Sequence, residues 1–430
     1  MRMNLIEKIL AAHAGLKEVR PGQIVTASVD VALANELSGI AAIEEFRRVG
    51  ATKVWNPEGI VVVPDHFTPA KDIRTAEICK KLREWVWEQE IPHYFEVGRG
   101  GIEHTVLPDE GLTLPGQLII GGDSHTVTYG AVGAFACGVG STDLAAAWIT
   151  GEIWLKVPDS IRLVFEGRPG RHCFAKDLIL FAVKNLSVEG ARYKCVKYEG
   201  SAVKALHMTG RFTMCNMTAE MGGKCGYIEP DETTMEYLRS TPARDRKFAP
   251  LRDDPGTPFG ETREFDVEGL EPQVSCPPSP DQVVPVSAVP KVRLDQVFIG
   301  SCTNGRIEDL RLAAEILRGR KVHPRTRLIV VPGSQRVYLQ ALKEGIIETF
   351  VVAGGAVSTP TCGACVGGHM GVIADGESCL STTNRNFVGR MGHVNAKTFL
   401  ANPAVAAASA VAGTIVHPDS VLTPSRVAVP

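Results

Sequence analysis

The chain has 430 residues, of which 44% are hydrophobic and 22% are charged, and its formal net charge is −2. A domain with a single hydrophobic core is usually shorter than this, so we expect a globular protein of two or three domains. The near-neutral charge, without a basic stripe, argues against nucleic-acid binding, and no run of about 18 apolar residues indicates a membrane span. The N-terminal residues lack the apolar core of a signal peptide, which predicts a cytoplasmic protein.

The first 157 residues alternate helical patterns with short apolar runs. Apolar residues at helical spacing predict a helix over residues 71–90. Two apolar runs, at residues 60–63 and 117–120, predict strands that each end at a polar loop. In an open α/β sheet, ligands bind at the carboxyl ends of the strands, so these loops are where we expect the chemistry.

Histidines and carboxylates in glycine-flanked loops of this region are candidate acid–base groups. They are Asp65, His66, His104, Asp123 and His125. An aspartate beside a histidine orients the imidazole and raises its basicity. A single histidine is usually structural, but three of them in such loops favour a role in proton transfer.

Residues 158–286 form a second mixed region that ends in a proline-rich segment. Six prolines lie between residues 272 and 290. Prolines at this spacing prevent a regular helix and favour an extended connector. The sequence therefore predicts three α/β regions, at residues 1–157, 158–286 and 287–430.

The last region has the clearest alternation of strands and helices. Three strands are predicted there, and the third lies at residues 349–353. Cys302, in Gly-Ser-Cys-Thr-Asn-Gly, follows the first strand, and the pair Cys362 and Cys365 follows the third. Parallel strands would deliver both cysteine loops to one edge of the sheet, where residues about sixty apart can meet.

These three cysteines are candidate metal ligands. Three thiolates can hold an iron–sulfur cubane of four irons, which leaves one iron without a protein ligand. An open metal position is what a Lewis-acid site needs. The same Cys-x-x-Cys pair also fits a zinc site, completed by Cys379 or His369, or a redox pair. The spacing alone leaves these alternatives open.

Arg385 and Arg390 flank a glycine in the segment Asn-Arg-Asn-Phe-Val-Gly-Arg. Guanidinium groups bind carboxylates through paired hydrogen bonds, which suits a small anionic substrate. The alternative is a solvated surface turn. Because the segment follows the cysteine pair by about twenty residues, an anion bound beside a metal centre is a consistent interpretation.

Five motifs, in this order, resemble the aconitase superfamily: Gly-Asp-Ser-His, Cys-Asn-Met-Thr-Ala-Glu at residues 215–220, Ser-Cys-Thr-Asn-Gly, Cys-Gly-x-Cys and Asn-Arg-Asn-Phe-x-Gly-Arg. The resemblance extends from about residue 25 to about residue 422, and the chain is most similar to the isopropylmalate isomerase and homoaconitase branch of that family. It implies an α/β, aconitase-like fold of three α/β/α domains around a central iron–sulfur cluster, lacking the swivelling fourth domain.

The resemblance also implies roles for individual residues. A [4Fe–4S] cluster, one per subunit, would be held by Cys302, Cys362 and Cys365, with Asn384 supporting its sulfides. The implied substrate-binding residues are Ser124, Asn216, Arg385 and Arg390. The implied catalytic residues are Asp65, His66, His104, Asp123, His125 and Glu220.

The implied reaction is dehydration of a small 2-hydroxy diacid followed by rehydration at the neighbouring carbon, as in the isomerisation of isopropylmalate in leucine biosynthesis. Homoaconitase, citramalate-type and 2,3-dimethylmalate-type activities remain alternatives. Residues 35–42 lack a glutamine with which relatives touch substrate, which leaves the substrate's side group open. An RNA-binding apoprotein and a zinc-stabilised structural protein are the alternatives from other classes.

The resemblance further predicts a partner. Single-chain aconitases continue into the swivelling domain, which carries a serine base, and no such segment is found before Pro430. We therefore expect a small subunit that carries the swivel domain and the catalytic serine.

Overall fold

A computed structural model describes residues 2–248 and 250–422. Its strands are β1 Ile24–Ser28, β2 Val31–Ala34, β3 Ile60–Val62, β4 His93–Tyr94, β5 Leu118–Gly121, β6 Phe135–Gly138, β7 Glu152–Lys156, β8 Ser160–Glu166, β9 Cys195–Glu199, β10 Cys225–Tyr227, β11 Glu261–Asp266, β12 Gln273–Ser275, β13 Val283–Pro285, β14 Gln296–Ile299, β15 Arg327–Val330, β16 Ala356–Val357, β17 Ser378–Ser381 and β18 Lys397–Leu400.

Its α-helices are α1 Leu5–His13, α2 Glu36–Arg48, α3 Ile73–Glu88, α4 Glu103–Asp109, α5 Ser141–Thr150, α6 Ala175–Leu186, α7 Ser201–Lys204, α8 Met208–Asn216, α9 Glu232–Arg239, α10 Ser301–Asn304, α11 Ile307–Leu317, α12 Gln335–Lys343, α13 Ile346–Ala353, α14 Pro403–Ala412 and α15 Asp419–Leu422. No helix of the described residues is long and apolar enough to cross a membrane.

The chain divides into two compact units, and both are discontinuous in sequence. Unit 1 comprises residues 1–166 and 189–266, and unit 2 comprises residues 167–188 and 267–430. The chain therefore passes between the units three times. The three-part division expected from the sequence stays a prediction.

Unit 1 is built on a five-stranded parallel sheet of order β4-β3-β2-β5-β6. Two of its strands, β3 and β5, confirm the sequence prediction of strands at residues 60–63 and 117–120. Helices α3 and α5 meet through stacked rings of Trp85 and Trp148, whose centroids lie 4.4 Å apart. Beside this sheet, unit 1 contains a parallel sheet of order β10-β9-β8-β11 and the antiparallel pair β1-β7.

Helix α3 confirms the helix predicted over residues 71–90, and its sequence explains its bounds. Asp72 caps the amino end by accepting the Thr75 backbone N–H at 2.7 Å. Cys79, Leu82 and Val86 are buried at spacings of three and four residues, which places them on one helical face. The amphipathic pattern thus fixes which face of α3 is buried in the core of unit 1.

Unit 2 is built on a seven-stranded sheet of order β13-β12-β18-β17-β14-β15-β16. The strands from β18 to β16 are parallel. The loops of Cys302, of Cys362 and Cys365, and of Asn384 follow β14, β16 and β17 respectively. Parallel strands deliver all three loops to the same edge of the sheet, which the sequence predicts for the two cysteine loops.

The prediction of a strand at residues 349–353 is wrong, because this segment lies in helix α13. Ile346, Phe350 and Ala353 are buried, whereas Val351 and Val352 are exposed, a pattern of helical rather than alternating period. A glycine in the left-handed conformation follows the helix as its C-cap. The β-branched valines suggested a strand, but tertiary packing favours the helix, and the true strand is β16.

The proline-rich segment is extended, as predicted, but it is more than a connector. Strands β12 and β13 form an antiparallel pair in which Val274 lies opposite Val284. Strand β12 also joins the sheet of unit 2 through Ser275, which pairs with Leu400 of β18. The described residues between 250 and 290 form no α-helix.

Candidate active site

Unit 1 brings together the predicted acid–base residues at the ends of its parallel strands. Asp65 and His66 follow β3, and Asp123 follows β5. His104 lies in the first turn of α4, and Glu220 lies in a 3₁₀ helix, Met217–Met221. We call Asp65, His66, Glu103, His104, Asp123, His125 and Glu220 the acid–base cluster.

His66 is held by Asp65 and is buried. Its Nδ1 lies 2.5 Å from Asp65 Oδ1, and its Nε2 lies 3.8 Å from Asp123 Oδ2. Burial alone would lower the pKa of His66, but the carboxylates of Asp65, Glu36 and Asp123 raise it well above its usual range. This environment favours the imidazolium form of His66, in which the N–H at Nε2 is directed away from Asp65.

His104 and Asp123 form a second pair. His104 Nε2 lies 3.0 Å from Asp123 Oδ1, and its Nδ1 lies 3.0 Å from the hydroxyl of Tyr129. Burial would raise the pKa of Asp123, but the hydrogen bonds from His104 and His125 hold it well below its usual range. Asp123 is therefore ionised, and it contacts three histidines at once.

The remaining predicted residues of unit 1 extend this network. His125 Nε2 lies 2.8 Å from Glu220 Oε1, and both side chains are buried. Asn216 Nδ2 donates to Thr128 Oγ1 at 2.8 Å. Ser124 is exposed, and its hydroxyl lies 3.5 Å from His125 Nδ1. The structure thus places an accessible hydroxyl beside buried, titratable groups.

Two glutamates of this site were missed by the sequence analysis. Glu103 is 1% exposed, its Oε1 accepts Asn35 Nδ2 at 3.0 Å, and its Oε2 has no hydrogen-bond partner among the described residues. Burial and the charges of Asp65 and Asp123 raise the pKa of Glu103 well above its usual range. Its position beside His104 in Gly-Ile-Glu-His was the available signal.

Glu36 is the second missed glutamate, and it shapes the loop of His66. Its two carboxylate oxygens accept the backbone N–H groups of Asp65, at 2.9 Å, and of Phe67. Asn35 precedes it and caps α2. The segment at residues 35–42, in which no active-site residue was predicted, therefore buttresses the acid–base cluster.

Unit 2 contains the predicted cluster ligands. Cys302, Cys362 and Cys365 are 4%, 8% and 2% exposed. The amide of Asn384 lies between two of them: its Nδ2 donates to Cys302 Sγ at 3.4 Å, and its Oδ1 accepts from Cys365 Sγ at 3.7 Å. One side chain from the loop after β17 thus joins the segments that follow β14 and β16.

The backbone before Cys302 adopts unusual conformations. Gly300 has φ +154°, and a Cβ there would lie 2.6 Å from the carbonyl oxygen of Val331. Ser301 has φ +80°, which is unusual for a residue with a side chain. Such backbone strain is concentrated at functional sites, where the surrounding structure enforces it. Here it sets the direction in which Cys302 leaves the sheet.

The residues present fit an iron–sulfur cluster. Three buried sulfur donors on short loops are the soft ligands that such clusters require, and the Asn384 amide supplies a hydrogen bond of the kind that tunes them. Cys379, the alternative zinc ligand, lies within β17, and burial raises the pKa of its thiol to about 12. It is therefore a protonated thiol at neutral pH.

The arginines lie in the loop after β17. Arg385 and Arg390 are both partly buried. Arg390 Nε is buried and has no hydrogen-bond partner among residues 2–248 and 250–422. Leaving a buried guanidinium N–H without an acceptor is unfavourable, and an anion would satisfy it.

A further buried cation, Lys176 of α6, was not predicted. Its Nζ donates to Asn304 Oδ1 at 3.4 Å and to the carbonyl oxygens of Thr382 and Thr383. Burial lowers the pKa of Lys176 to about 8. The signal in the sequence is weak, because a lysine near the start of a helix is usually solvated.

The chain is similar to known proteins over almost its whole length. The sequence profile of the Aconitase family (aconitate hydratase) matches residues 7–293 and 287–413. The 3-isopropylmalate dehydratase large subunit of Moorella thermoacetica is 55% identical over 422 residues, which cover 98% of this chain and 100% of that protein. The same-named protein of Thermodesulfovibrio yellowstonii is 52% identical over 97% of this chain and 99% of its own length.

Among solved structures, the holo form of aconitase X from Thermococcus kodakaraensis is 15% identical, covers 88% of this chain and 89% of its own, and has a TM-score of 0.49. The sequence comparisons extend over nearly the whole chain, well beyond the motifs of the two sites. The chain belongs to the aconitase family.

Proposed function

We propose that the chain is the large subunit of a hydro-lyase that interconverts 2-isopropylmalate and 3-isopropylmalate by dehydration and rehydration. The placement of Asn384 between Cys302 and Cys365 carries the assignment of the reaction class, because it joins two of the three predicted cluster ligands. The names of relatives that are 51–55% identical supply the substrate.

The proposed cofactor is a [4Fe–4S] cluster held by Cys302, Cys362 and Cys365, with Asn384 as a hydrogen-bonding neighbour. When bound, such a cluster supplies a Lewis-acidic iron for the substrate's hydroxyl and carboxylate oxygens. The buried sulfurs and the strained backbone at Ser301 support this assignment.

His66 is the proposed acid for the departing hydroxyl. Its Nδ1 faces Asp65, so the proton at Nε2 is available to a leaving group. In the reverse direction, the neutral Nε2 accepts a proton from the attacking water. The carboxylate of Asp123 stabilises the imidazolium from the other side, at 3.8 Å.

His104, His125 and Glu220 are proposed to hold this network in place. His104 binds Asp123 through Nε2 and Tyr129 through Nδ1, so both ring nitrogens have defined partners. His125 links the loop after β5 to Glu220. Such hydrogen-bonded pairs fix the orientation that a proton transfer requires.

Arg385 and Arg390 are proposed to bind the two carboxylates of the diacid. The buried Nε of Arg390 supports this assignment, since a carboxylate oxygen would provide its acceptor. Ser124 and Asn216, beside His125 and Thr128, are the polar groups proposed to contact the remaining oxygens.

A small subunit is proposed to supply the base that removes the proton from carbon. The words "large subunit" in the relatives' names support a partner, and we assign to it the swivelling domain and the serine. A cytoplasmic location is part of the same proposal.

The test is anaerobic reconstitution of the chain with iron and sulfide, followed by addition of an isopropylmalate-dehydratase small subunit. Appearance of the unsaturated intermediate is followed by ultraviolet absorbance with isopropylmalate, homocitrate, citramalate and 2,3-dimethylmalate as substrates. We expect the highest kcat/KM with isopropylmalate. A higher value with homocitrate would reassign the substrate, and no turnover of any diacid by the cluster-loaded complex would refute the reaction class.

A further inference from the structure

We infer that Lys176 is a positioning residue for the cluster: its ammonium joins the Cys302 loop to the Asn384 segment and offsets the negative charge of the cysteine thiolates. This inference rests on the proposed cluster. Lys176 is far from the cysteines in sequence. It lies in residues 167–188, the short N-terminal part of unit 2.

The hydrogen bonds of Lys176 define the first part of this role. Asn304, whose Oδ1 accepts from Nζ, lies two residues after Cys302. Thr382 and Thr383, whose carbonyl oxygens also accept, lie directly before Asn384. One ammonium group thus fixes the segments that carry Cys302 and its hydrogen-bonding neighbour Asn384.

Charge defines the second part. Lys176 is 1% exposed, and a buried ammonium is unfavourable unless opposite charge lies nearby. The three oxygens that it contacts are formally neutral. Among the groups that raise the pKa of Lys176 against the effect of burial, the Asp309 carboxyl comes first, followed by Cys365, Asp177 and Cys302. Two of these four groups are proposed cluster ligands, so the ammonium lies near cluster charge as well as near two carboxyl groups.

The two neighbouring carboxyl groups have other partners. Asp177 accepts the backbone N–H of Phe174 at 2.7 Å and of Gln273 at 2.8 Å. Asp309 accepts Asn304 Nδ2 at 2.9 Å. Asp309 belongs to the same hydrogen-bond network as Lys176, because both contact the side-chain amide of Asn304.

Lys176→Met removes the charge and the donors while keeping a long side chain. We expect the reconstituted variant to lose its iron to a ferrous chelator about 10–100-fold faster than wild type, the usual effect of removing a residue that supports metal ligands. We also expect a more negative reduction potential, because a nearby positive charge favours the reduced cluster. Lys184→Met, at an exposed position on the same helix, is the matched control.

The experiment uses the full chain. Iron and sulfide content, chelator-dependent iron release and reduction potential are measured after anaerobic reconstitution, and circular dichroism of the apoproteins checks folding. Wild-type retention and potential in a folded Lys176→Met variant would overturn the inference. If that variant does not fold, Lys176→Arg is tested instead, because it keeps the positive charge. Iron retention near the wild-type level supports a role for the charge, and iron loss as complete as that of an empty site contradicts it.

These outcomes are distinguishable from failure of the proposed function. A wild-type chain that binds no iron and sulfide would refute the cluster itself. A wild-type chain that binds them, together with a folded Lys176→Met variant that binds them equally well, would refute only the role of Lys176.

Discussion

The backbone N–H of Glu103 donates to Asp65 Oδ2 at 2.9 Å, although the two residues follow different strands. This bond anchors the start of α4 on the carboxylate that also holds His66. The side chain of Glu103 is thereby buried among negative charges, where the protonated form of a carboxyl group is favoured.

Glu103→Gln is therefore expected to alter the pH dependence of stability. Burial, and then Asp65 and Asp123, raise the pKa of Glu103 in the folded chain above the 4.5 of an ordinary glutamate. The folded state binds this proton more tightly than the unfolded state, so the wild-type free energy of unfolding falls as pH rises from 4.5 through the folded pKa. The glutamine variant lacks this loss, so its stability relative to wild type rises with pH, by about 1.4 kcal/mol for each pKa unit.

Urea unfolding from about pH 4 to about pH 8 measures this difference. Glu77→Gln, at an exposed position of α3, is the control and is expected to give no pH-dependent difference. A stability difference for Glu103→Gln that is constant over the whole range would contradict the assignment of a proton to Glu103.

Asp65→Asn is expected to lower the pKa of His66. Burial alone would lower that pKa, and the Asp65 carboxylate is the first of the groups that raise it. In wild type, the stabilising contribution of the imidazolium is complete below about pH 6.5 and is lost only as pH rises through the raised folded pKa. In the variant it is lost at lower pH, and activity of the complex falls by about 10²–10⁴-fold.

Histidine-selective nitrogen NMR follows the titration midpoint of His66 in this variant. His13 is an internal reference, because Asp30 rather than Asp65 is its ion-pair partner. We expect its midpoint to stay unchanged. A His66 midpoint that does not move would show that Asp65 does not set its protonation.

Serine substitution of Cys302, Cys362 or Cys365 is expected to abolish stable cluster binding. Each change removes one of three sulfur ligands, and oxygen is a harder, less suitable donor for iron–sulfur clusters. Iron, zinc and sulfide analysis of anaerobically purified protein measures the effect. Cys379→Ala is the control, because its thiol lies within β17, and it should keep wild-type iron and sulfide content. Stoichiometric zinc without sulfide in wild type would contradict the cluster.

Tyr129→Phe is expected to reduce kcat with little change in KM. The change removes the hydroxyl that lies 3.0 Å from His104 Nδ1, a loss of about 1 kcal/mol of stability. His104 then loses one of the contacts that orient its ring. Steady-state kinetics of the complex measure the effect. Tyr193→Phe removes the hydroxyl that binds the Lys156 carbonyl at 3.1 Å on the surface and should leave kcat unchanged.

Local pattern predicted the framework of both sites. The alternation of apolar runs and helical segments located β3, β5 and β14 and the polar loops after them, because parallel strands present their carboxyl ends together. The same reasoning failed at residues 349–353. There the apolar run was too short for periodicity to separate a strand from helix α13, and the burial of Phe350 but not Val351 required tertiary contacts.

The supporting residues could not be predicted in this way. Lys176 is 128 positions from Asn304, and Asn35 is 68 positions from Glu103, so their hydrogen bonds depend on the folded chain. Lysine and glutamate side chains are usually exposed to solvent, so the sequence alone predicts surface positions for them. Only burial and contact geometry identify these residues as parts of the two sites.

Because unit 2 is discontinuous in sequence, a fragment that begins at its longer part lacks residues 167–188. Helix α6 is synthesised before the rest of unit 1 is complete, yet its partners in unit 2 begin only at residue 267. A recombinant fragment that starts there would contain all three proposed cluster ligands without the ammonium of Lys176. We therefore expect that truncation at residue 267 does not yield an intact unit 2, and that residues 167–188 must be supplied in trans or fused ahead of residue 267.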